Sequence, residues 1–152
     1  MPEIPWMPSP DDLDDMIETD LNGQSFAEMP DMLCTMFAQQ ERHALSYYEL
    51  APIGRYVDPN KWGELDRFDV QEDICKLAFD TVKELSEAVN QFAKRWKQTP
   101  TRINRDAFLE EIADVWHFFI QLHLVAGIEP IDAFKAYVGK SKVNDKRRES
   151  GY

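Results

Sequence analysis

Two pairs of acidic side chains stand inside otherwise apolar helical patterns. Glu84 and Glu87 belong to "KELSEAV", and Glu111 and Asp114 belong to "EEIADVW". Residues three apart on a helix project side by side, so each pair presents two carboxylates on one helical face. Four carboxylates that converge in a partly buried site cannot all ionise without a counterion, and Mg²⁺ is a hard cation that takes oxygen ligands. We therefore predict that the four acids bind Mg²⁺.

The same spacing between acids also occurs where no metal site is expected. Asp11 and Asp14 are three apart, as are Glu129 and Asp132, but neither pair lies in the apolar stripe of a long helix. A solvated helical face is the alternative interpretation, and spacing alone leaves it open. A di-iron bundle is a weaker alternative, because it needs a Glu-x-x-His motif on each of two helices and Asp114-x-x-His117 is a single imperfect match.

Helical periodicity covers most of the chain, and no segment is typical of a strand. The pattern predicts helices at about 26–50, 70–97, 105–126 and 130–142, with a loop at 52–69. Asn104 or Asp106 can cap the third helix, Gly127 ends it, and Pro130 suits the first turn of the last one.

The whole chain, 1–152, is predicted to be a single all-α domain built as a four-to-five-helix bundle, preceded by an extended acidic arm at 1–24. The predicted helix at 105–126 is apolar around nearly its whole circumference. Such a helix is buried on most sides, and a second subunit is a source of the additional cover. We therefore predict a homodimer or a dimer of dimers.

Composition excludes several functional classes. A net charge of −11 argues against stable nucleic-acid binding, which requires a basic surface. No apolar run reaches the roughly eighteen residues of a membrane span, and the N-terminus lacks the pattern of a secretory signal. Cys34 and Cys75 lack metal-type spacing, which suits a reducing compartment, so we expect a cytoplasmic location.

Basic residues are concentrated at the other end of this acidic chain, in the closing segment "KSKVNDKRRESGY". Lysine offers a mobile point charge to phosphate, while arginine offers a planar fork that binds two oxygens. This segment is therefore predicted to bind phosphate groups near the acids, and Lys97 in "AKRWK" could join it. A solvated tail is the alternative, and for Lys97 the alternative is an ordinary helix C-terminus, which favours cations.

These motifs together resemble a known superfamily. "ELSE", then 23 residues, then "EIAD" resembles the E-x-x-E…E-x-x-D motif of the all-α nucleoside triphosphate pyrophosphatases, which include MazG-type enzymes, dimeric dUTPases and phage dCTP pyrophosphatases. "EEIADVWHFF" is similar to the acid-x-x-His-Phe segment of the last two groups. The closing segment is similar to their Lys-x-Lys-x-Asn-x-x-Arg-x-x-x-Gly-Tyr, and "RWK" is similar to their Trp-Lys stretch. The resemblance covers roughly residues 77–152.

The resemblance implies a dimeric or tetrameric helical bundle that hydrolyses a nucleoside triphosphate to monophosphate and pyrophosphate. It implies two or more Mg²⁺ ions, with Mn²⁺ as a substitute, on Glu84, Glu87, Glu111 and Asp114. A carboxylate not saturated by metal would orient or deprotonate the attacking water, and we assign Glu84 to this role, with Glu87 as the alternative.

Further site residues follow from the resemblance and from the polar face of the third helix. Phosphate contacts are implied for Lys140, Asn144, Arg147, Tyr152 and Lys97. Nucleoside contacts are expected from Gln39 or Gln40, from His117 and from a stacking Phe118. A histidine that only packs the helices together is the alternative for His117.

The preferred base is not visible in the sequence, since one amide side chain or a backbone group can distinguish the bases. The resemblance favours a pyrimidine deoxynucleotide, dUTP or dCTP, and hence control of the nucleotide pool. A purine-specific, MazG-like enzyme acting on dGTP or GTP, in a phage with altered DNA composition, is the alternative. For a phage-encoded protein, the expected location is the host cytoplasm. A non-catalytic helical module that binds a basic partner through its acidic arm is the alternative from another class.

Overall fold

The computed structural model describes residues 32–51, 56–92 and 103–151. Those residues contain no strand and form four helices, α1 (Met32–Leu50), α2 (Phe68–Asn90), α3 (Arg105–Val125) and α4 (Pro130–Glu149). A short 3₁₀ turn at Pro59–Lys61 interrupts the predicted loop before α2. The all-α prediction is therefore confirmed for the described ranges. The predicted arm at 1–24, Lys97 and Tyr152 lie outside them.

Among the helices of these three ranges, none combines the length and the hydropathy that crossing a membrane requires. The chain divides into two compact units. One unit is Thr35–Ile128 and contains most of α1 together with α2 and α3. The described residues of the other unit are 32–34 and 129–151, and they include α4.

Helices α2 and α3 pack against each other as an antiparallel hairpin. At one end, the start of α2 meets the end of α3 in an apolar core formed by Val57, Val70, Leu77 and Val125, with Trp62, Ile74, Phe118 and Leu122 packed against it. At the other end, Phe92 contacts Phe108 edge to face, with ring centroids 5.5 Å apart. The two apolar contacts hold the middle of the hairpin between them.

The segment before α2 is tied to the end of α3 through two glycines. Gly63 and Gly127 both have positive φ, 84° and 70°, and their backbones are so close that a Cβ atom at Gly127 would lie 2.6 Å from Gly63 Cα. The backbone N–H of Gly63 donates to the carbonyl of Val125 at 3.0 Å. Only glycine adopts this backbone conformation without steric strain, so Gly127 ends α3 as predicted.

Besides the end of α3 at Gly127, two predicted helix boundaries are confirmed and two are wrong. The Asn104 side chain accepts from the N–H groups of Asp106 and Ala107, which identifies it as the cap of α3, and Pro130 opens α4. Helix α2 ends at Asn90 and not at residue 97, because the next two N–H groups bond to carbonyls three residues back and tighten the chain out of the α-helix.

Helix α4 continues to Glu149, two turns beyond the predicted end at about residue 142. No glycine or proline interrupts the sequence between residues 140 and 150, and an ion pair between Asp145 and Arg148 at 2.8 Å spans one turn. Three basic residues in the last turn also suit the negative end of the helix dipole. The basic segment up to Glu149 is thus helical and not an irregular tail.

Candidate metal centre

Three of the four predicted metal ligands converge in the middle of the α2–α3 hairpin. Glu84 on α2 and Glu111 and Asp114 on α3 each place one carboxylate oxygen within 4.8 Å of the other two. Within the described ranges this is the one group of three or more potential metal ligands that meets so closely. We call Glu84, Glu111 and Asp114 the three-acid group.

The helical register explains why an acid is buried here. Val70, Leu77 and Glu84 follow one another at intervals of seven residues, so Glu84 continues the stripe that α2 presents to α3. Ala88, one turn further along, is fully buried. Glu84 therefore takes a core position, and its side chain is only 11% exposed. Glu111 is half-buried and Asp114 is exposed, so the group opens towards solvent on the α3 side.

The fourth predicted ligand, Glu87, lies outside the three-acid group and is paired with a lysine. The ammonium of Lys83 donates to Glu84 Oε1 at 2.9 Å and lies 2.8 Å from Glu87 Oε1. Hydrogen bonds to Glu87 and Glu84 raise the pKa of Lys83 well above its usual range. Lys83 was not predicted as a site residue, although a lysine next to Glu84 and four residues before Glu87 is a visible signal.

The electrostatics of the three-acid group favour a cation. Partial burial raises the pKa of Glu111, and the negative charges of Glu87, Glu84, Asp114 and Glu110 raise it further, in that order. A carboxylate that is held back from ionising by its acidic neighbours is stabilised when a positive charge is added among them.

The spacing of the oxygens also fits a divalent ion. Oxygen ligands lie about 2.0–2.1 Å from Mg²⁺, so ligands on opposite sides of the ion are about 4.2 Å apart. The three oxygens of the group lie within 4.8 Å of one another, so their largest possible separation is close to that span. Three carboxylates leave further positions around an octahedral ion for water or phosphate oxygens.

A polar network joins α1 to α3 next to the acids. Gln40 Oε1 lies 2.6 Å from His117 Nδ1, and Gln40 Nε2 donates to Gln121 Oε1 at 3.1 Å. Nδ1 of His117 carries the hydrogen in this arrangement because an amide oxygen only accepts. The ring of His43 stacks on that of His117, with 6.1 Å between centroids. Of the two glutamines predicted for nucleoside contacts, Gln40 is therefore the one that faces α3.

The remaining predicted nucleoside and phosphate ligands occupy varied positions. Gln39 is exposed on α1, and Phe118 packs against the apolar core. Lys140, Asn144 and Arg147 share one face of α4 because they are four and three residues apart. Asn144 and Arg147 are exposed. Their phosphate contacts, and those of Lys97 and Tyr152 outside the described ranges, stay predictions.

Comparison of the chain with protein-family models, with curated proteins and with solved structures finds no match. Clustered carboxylates on two rigid helices can hold a divalent cation, and the neighbouring amides and imidazole offer both donors and acceptors to a polar ligand.

Proposed function

We propose that this protein is a Mg²⁺-dependent nucleoside triphosphate pyrophosphohydrolase, which converts a deoxynucleoside triphosphate and water to the monophosphate and diphosphate. The convergence of Glu84, Glu111 and Asp114 carries the proposal. These residues belong to the motif that resembles the all-α pyrophosphatases, and Glu84 occupies a core position where an apolar side chain would be expected.

The reaction requires charge neutralisation on the phosphoryl oxygens and an in-line water. When bound, Mg²⁺ or Mn²⁺ in two or more copies would supply that neutralisation and would lower the pKa of water. The three-acid group would hold the cation from both helices of the hairpin, and Glu87 lies one turn away from Glu84 on the same helix. A carboxylate oxygen of Glu84 or Glu87 that is not occupied by the cation orients or deprotonates the water.

The nucleoside is proposed to bind at the network of Gln40, His117 and Gln121. Amide side chains both donate and accept hydrogen bonds, so they can distinguish the edges of the bases. The proposed substrate is a pyrimidine deoxynucleotide, dUTP or dCTP, in keeping with the resemblance. The basic face of α4, with Lys140, Asn144 and Arg147, is proposed to bind phosphate oxygens.

We further propose that the protein is a homodimer or a dimer of dimers. Trp116 and Phe119 on α3 contact each other edge to face and are 45% and 43% exposed. Phe79 and Val82, on the outward side of α2, are also exposed. Large apolar side chains of this kind are typical of a surface that a second subunit covers. A cytoplasmic location is proposed because Cys34 and Cys75 are both exposed thiols.

A panel of the deoxynucleoside and ribonucleoside triphosphates with Mg²⁺ or Mn²⁺, assayed for diphosphate and orthophosphate separately, tests the proposal. We expect diphosphate from dUTP or dCTP, and none after chelation of divalent ions. Diphosphate from dGTP alone would support the purine-specific alternative. Orthophosphate as the product, or no hydrolysis of any nucleotide, would contradict the proposed reaction.

Two variants connect the activity to the site. Glu111→Gln is expected to lower kcat/KM by at least about 100-fold. Loss of a residue that only supports a metal ligand costs about 10- to 100-fold, and loss of the ligand itself should cost more. Glu72→Gln is the matched control, because Glu72 is an exposed acid on α2 whose partner is Lys76 at 3.5 Å. Near-normal activity of Glu111→Gln, with its helical circular dichroism intact, would remove the three-acid group from the mechanism.

A further inference from the structure

Lys83 connects the three-acid group to the acid that lies outside it. Its ammonium contacts Glu84 at 2.9 Å and Glu87 at 2.8 Å, so one positive charge forms ion pairs with two carboxylates. The Lys83 side chain is 62% exposed, whereas that of Glu84 is 11% exposed. The ammonium therefore approaches a nearly buried acid from the solvent side.

The other lysine of α2 shows that this arrangement is not the ordinary one for the helix. Lys76 also pairs with an acid one turn away, but it contacts the single carboxylate of Glu72, at 3.5 Å. Both partners in that pair are more than half exposed. Lys83 differs because one of its partners belongs to the three-acid group.

An ammonium and a divalent cation compete for the same negative charge on Glu84. A bound divalent ion would repel a neighbouring ammonium, and this repulsion grows as the surroundings become less polar. The exposed side of the Lys83 ion pair offers little resistance to exchange, because ion pairs in contact with water contribute little to stability. Displacement of Lys83 into solvent is therefore the favourable outcome when the ion arrives.

We propose that Lys83 is a positioning residue, which acts as the resident cation of the divalent-free site by binding both Glu84 and Glu87, and is displaced when a divalent ion binds. This inference rests on the proposed metal site. Displacement frees the carboxylate oxygens of Glu84 and Glu87 that Lys83 occupies, so that Glu87 joins the site only after the ion has entered.

Crystals of the protein grown without divalent ions and then soaked in Mn²⁺ provide the direct test. We expect anomalous scattering from Mn²⁺ at the three-acid group and a Lys83 Nζ that has moved beyond hydrogen-bonding distance from Glu87. Mn²⁺ at the group with Lys83 still bridging the two acids would overturn this inference and leave the metal site standing. Absence of Mn²⁺ from the group would overturn both.

Calorimetric titration with Mn²⁺ gives a second readout that does not depend on activity. Lys83→Met is expected to bind Mn²⁺ on the order of tenfold more tightly than the unchanged protein. This is the repulsion that one positive charge exerts in water on a divalent ion about 6 Å away. Lys76→Met, two turns away, removes the same charge and should change the affinity less than about twofold because of screening. Equal affinities for these two variants would overturn the inference.

Lys83→Arg separates charge from side-chain identity. Arginine keeps the positive charge and can bind both acids, so its Mn²⁺ affinity should equal or fall below that of the unchanged protein. Affinity as high as that of Lys83→Met would show that a competing charge is not the cause. Circular dichroism in divalent-free buffer verifies that each variant is folded. If Lys83→Met does not fold, Lys83→Arg still tests the inference.

Discussion

Gly127 lies where the end of α3 comes closest to another part of the backbone, and its replacement by alanine tests the packing of the hairpin. A Cβ atom at Gly127 would lie 2.6 Å from Gly63 Cα and 3.3 Å from Gly63 N. Both are backbone atoms, so no side-chain rotation relieves the overlap. The φ angle of Gly127, +70°, adds strain for any residue with a Cβ.

The size of the effect follows from these two terms. The left-handed conformation costs alanine about 1–2 kcal/mol, and a backbone shift that relieves overpacking costs about 1–3 kcal/mol. Gly127→Ala should therefore lower the free energy of unfolding by about 2–5 kcal/mol. At about 2–4 °C per kcal/mol for a chain of this size, Tm falls by roughly 4–20 °C.

Two further glycines with positive φ provide controls for the cost of the left-handed backbone conformation. Gly151 has a φ of +79°, but a Cβ at that position would meet no heavy atom within 4 Å, so Gly151→Ala carries the backbone strain alone. Gly63→Ala, with Gly127 Cα at 3.4 Å, should fall between the other two. Thermal and urea denaturation followed by circular dichroism should therefore rank the losses as Gly127→Ala, Gly63→Ala and then Gly151→Ala.

The glycine contact lies at the opposite end of the hairpin from Phe92 and Phe108, with the three-acid group between them. Mn²⁺ affinity measured well below Tm should therefore be unchanged in Gly127→Ala. Equal losses of stability in Gly127→Ala and Gly151→Ala would refute the close approach of the two backbones, and with it the account of how the loop before α2 is anchored.

Two further predictions concern α3. Asn104→Ala removes the cap that accepts two backbone N–H groups and should lower stability by about 1 kcal/mol in denaturation experiments, while Asn104→Ser, which retains a capping oxygen, should lose less. Folding raises the pKa of Glu111, so the native state keeps this proton to higher pH than the unfolded chain does. Ionised Glu111 therefore destabilises the divalent-free protein as the pH rises through the raised pKa. In chelator, Glu111→Gln should therefore gain stability relative to the unchanged protein across that pH range; urea denaturation that shows a difference independent of pH would contradict this.

Features that depend on neighbouring residues in the sequence could be predicted from it. Asn104, Gly127 and Pro130 mark the ends of α3 and the start of α4, because caps and turns are formed by a few consecutive residues. Glu111 and Asp114 share a face of α3 for a similarly local reason, since their spacing determines their directions once the helix forms.

Features that depend on the rotation of one helix against another could not be predicted in the same way. The sequence left Gln39 and Gln40 as equal alternatives. Packing selects Gln40, because Phe37 and Ala44 are the buried residues of α1 and Gln40 lies on the face between them. The burial of Ala44 depends on what α1 packs against.

Glu87 illustrates the same limit inside the motif. Its spacing from Glu84 predicts a shared helical direction, and the structure retains this, yet the carboxylate pairs with Lys83 and is not one of the three-acid group. A helical spacing determines where a Cβ points, whereas a long side chain follows the nearest charge. Lys83, which pairs with Glu87, is itself part of the segment "KELSE". The sequence therefore contained the residues of this ion pair, but the spacing of the acids alone did not indicate it.

The position of the three-acid group between two apolar contacts bears on how a cation could be bound. The core around Val70 and Val125 lies on one side of the acids along the hairpin, and the Phe92–Phe108 contact lies on the other. Burial of a carboxylate such as Glu84 opposes folding, because its charged form loses water. Apolar packing on both sides offsets that loss before any ion is present, and it keeps the ligands of α2 opposite those of α3. In the proposed site, binding would require the exchange of Lys83 on a pair of helices that already brings the three acids together.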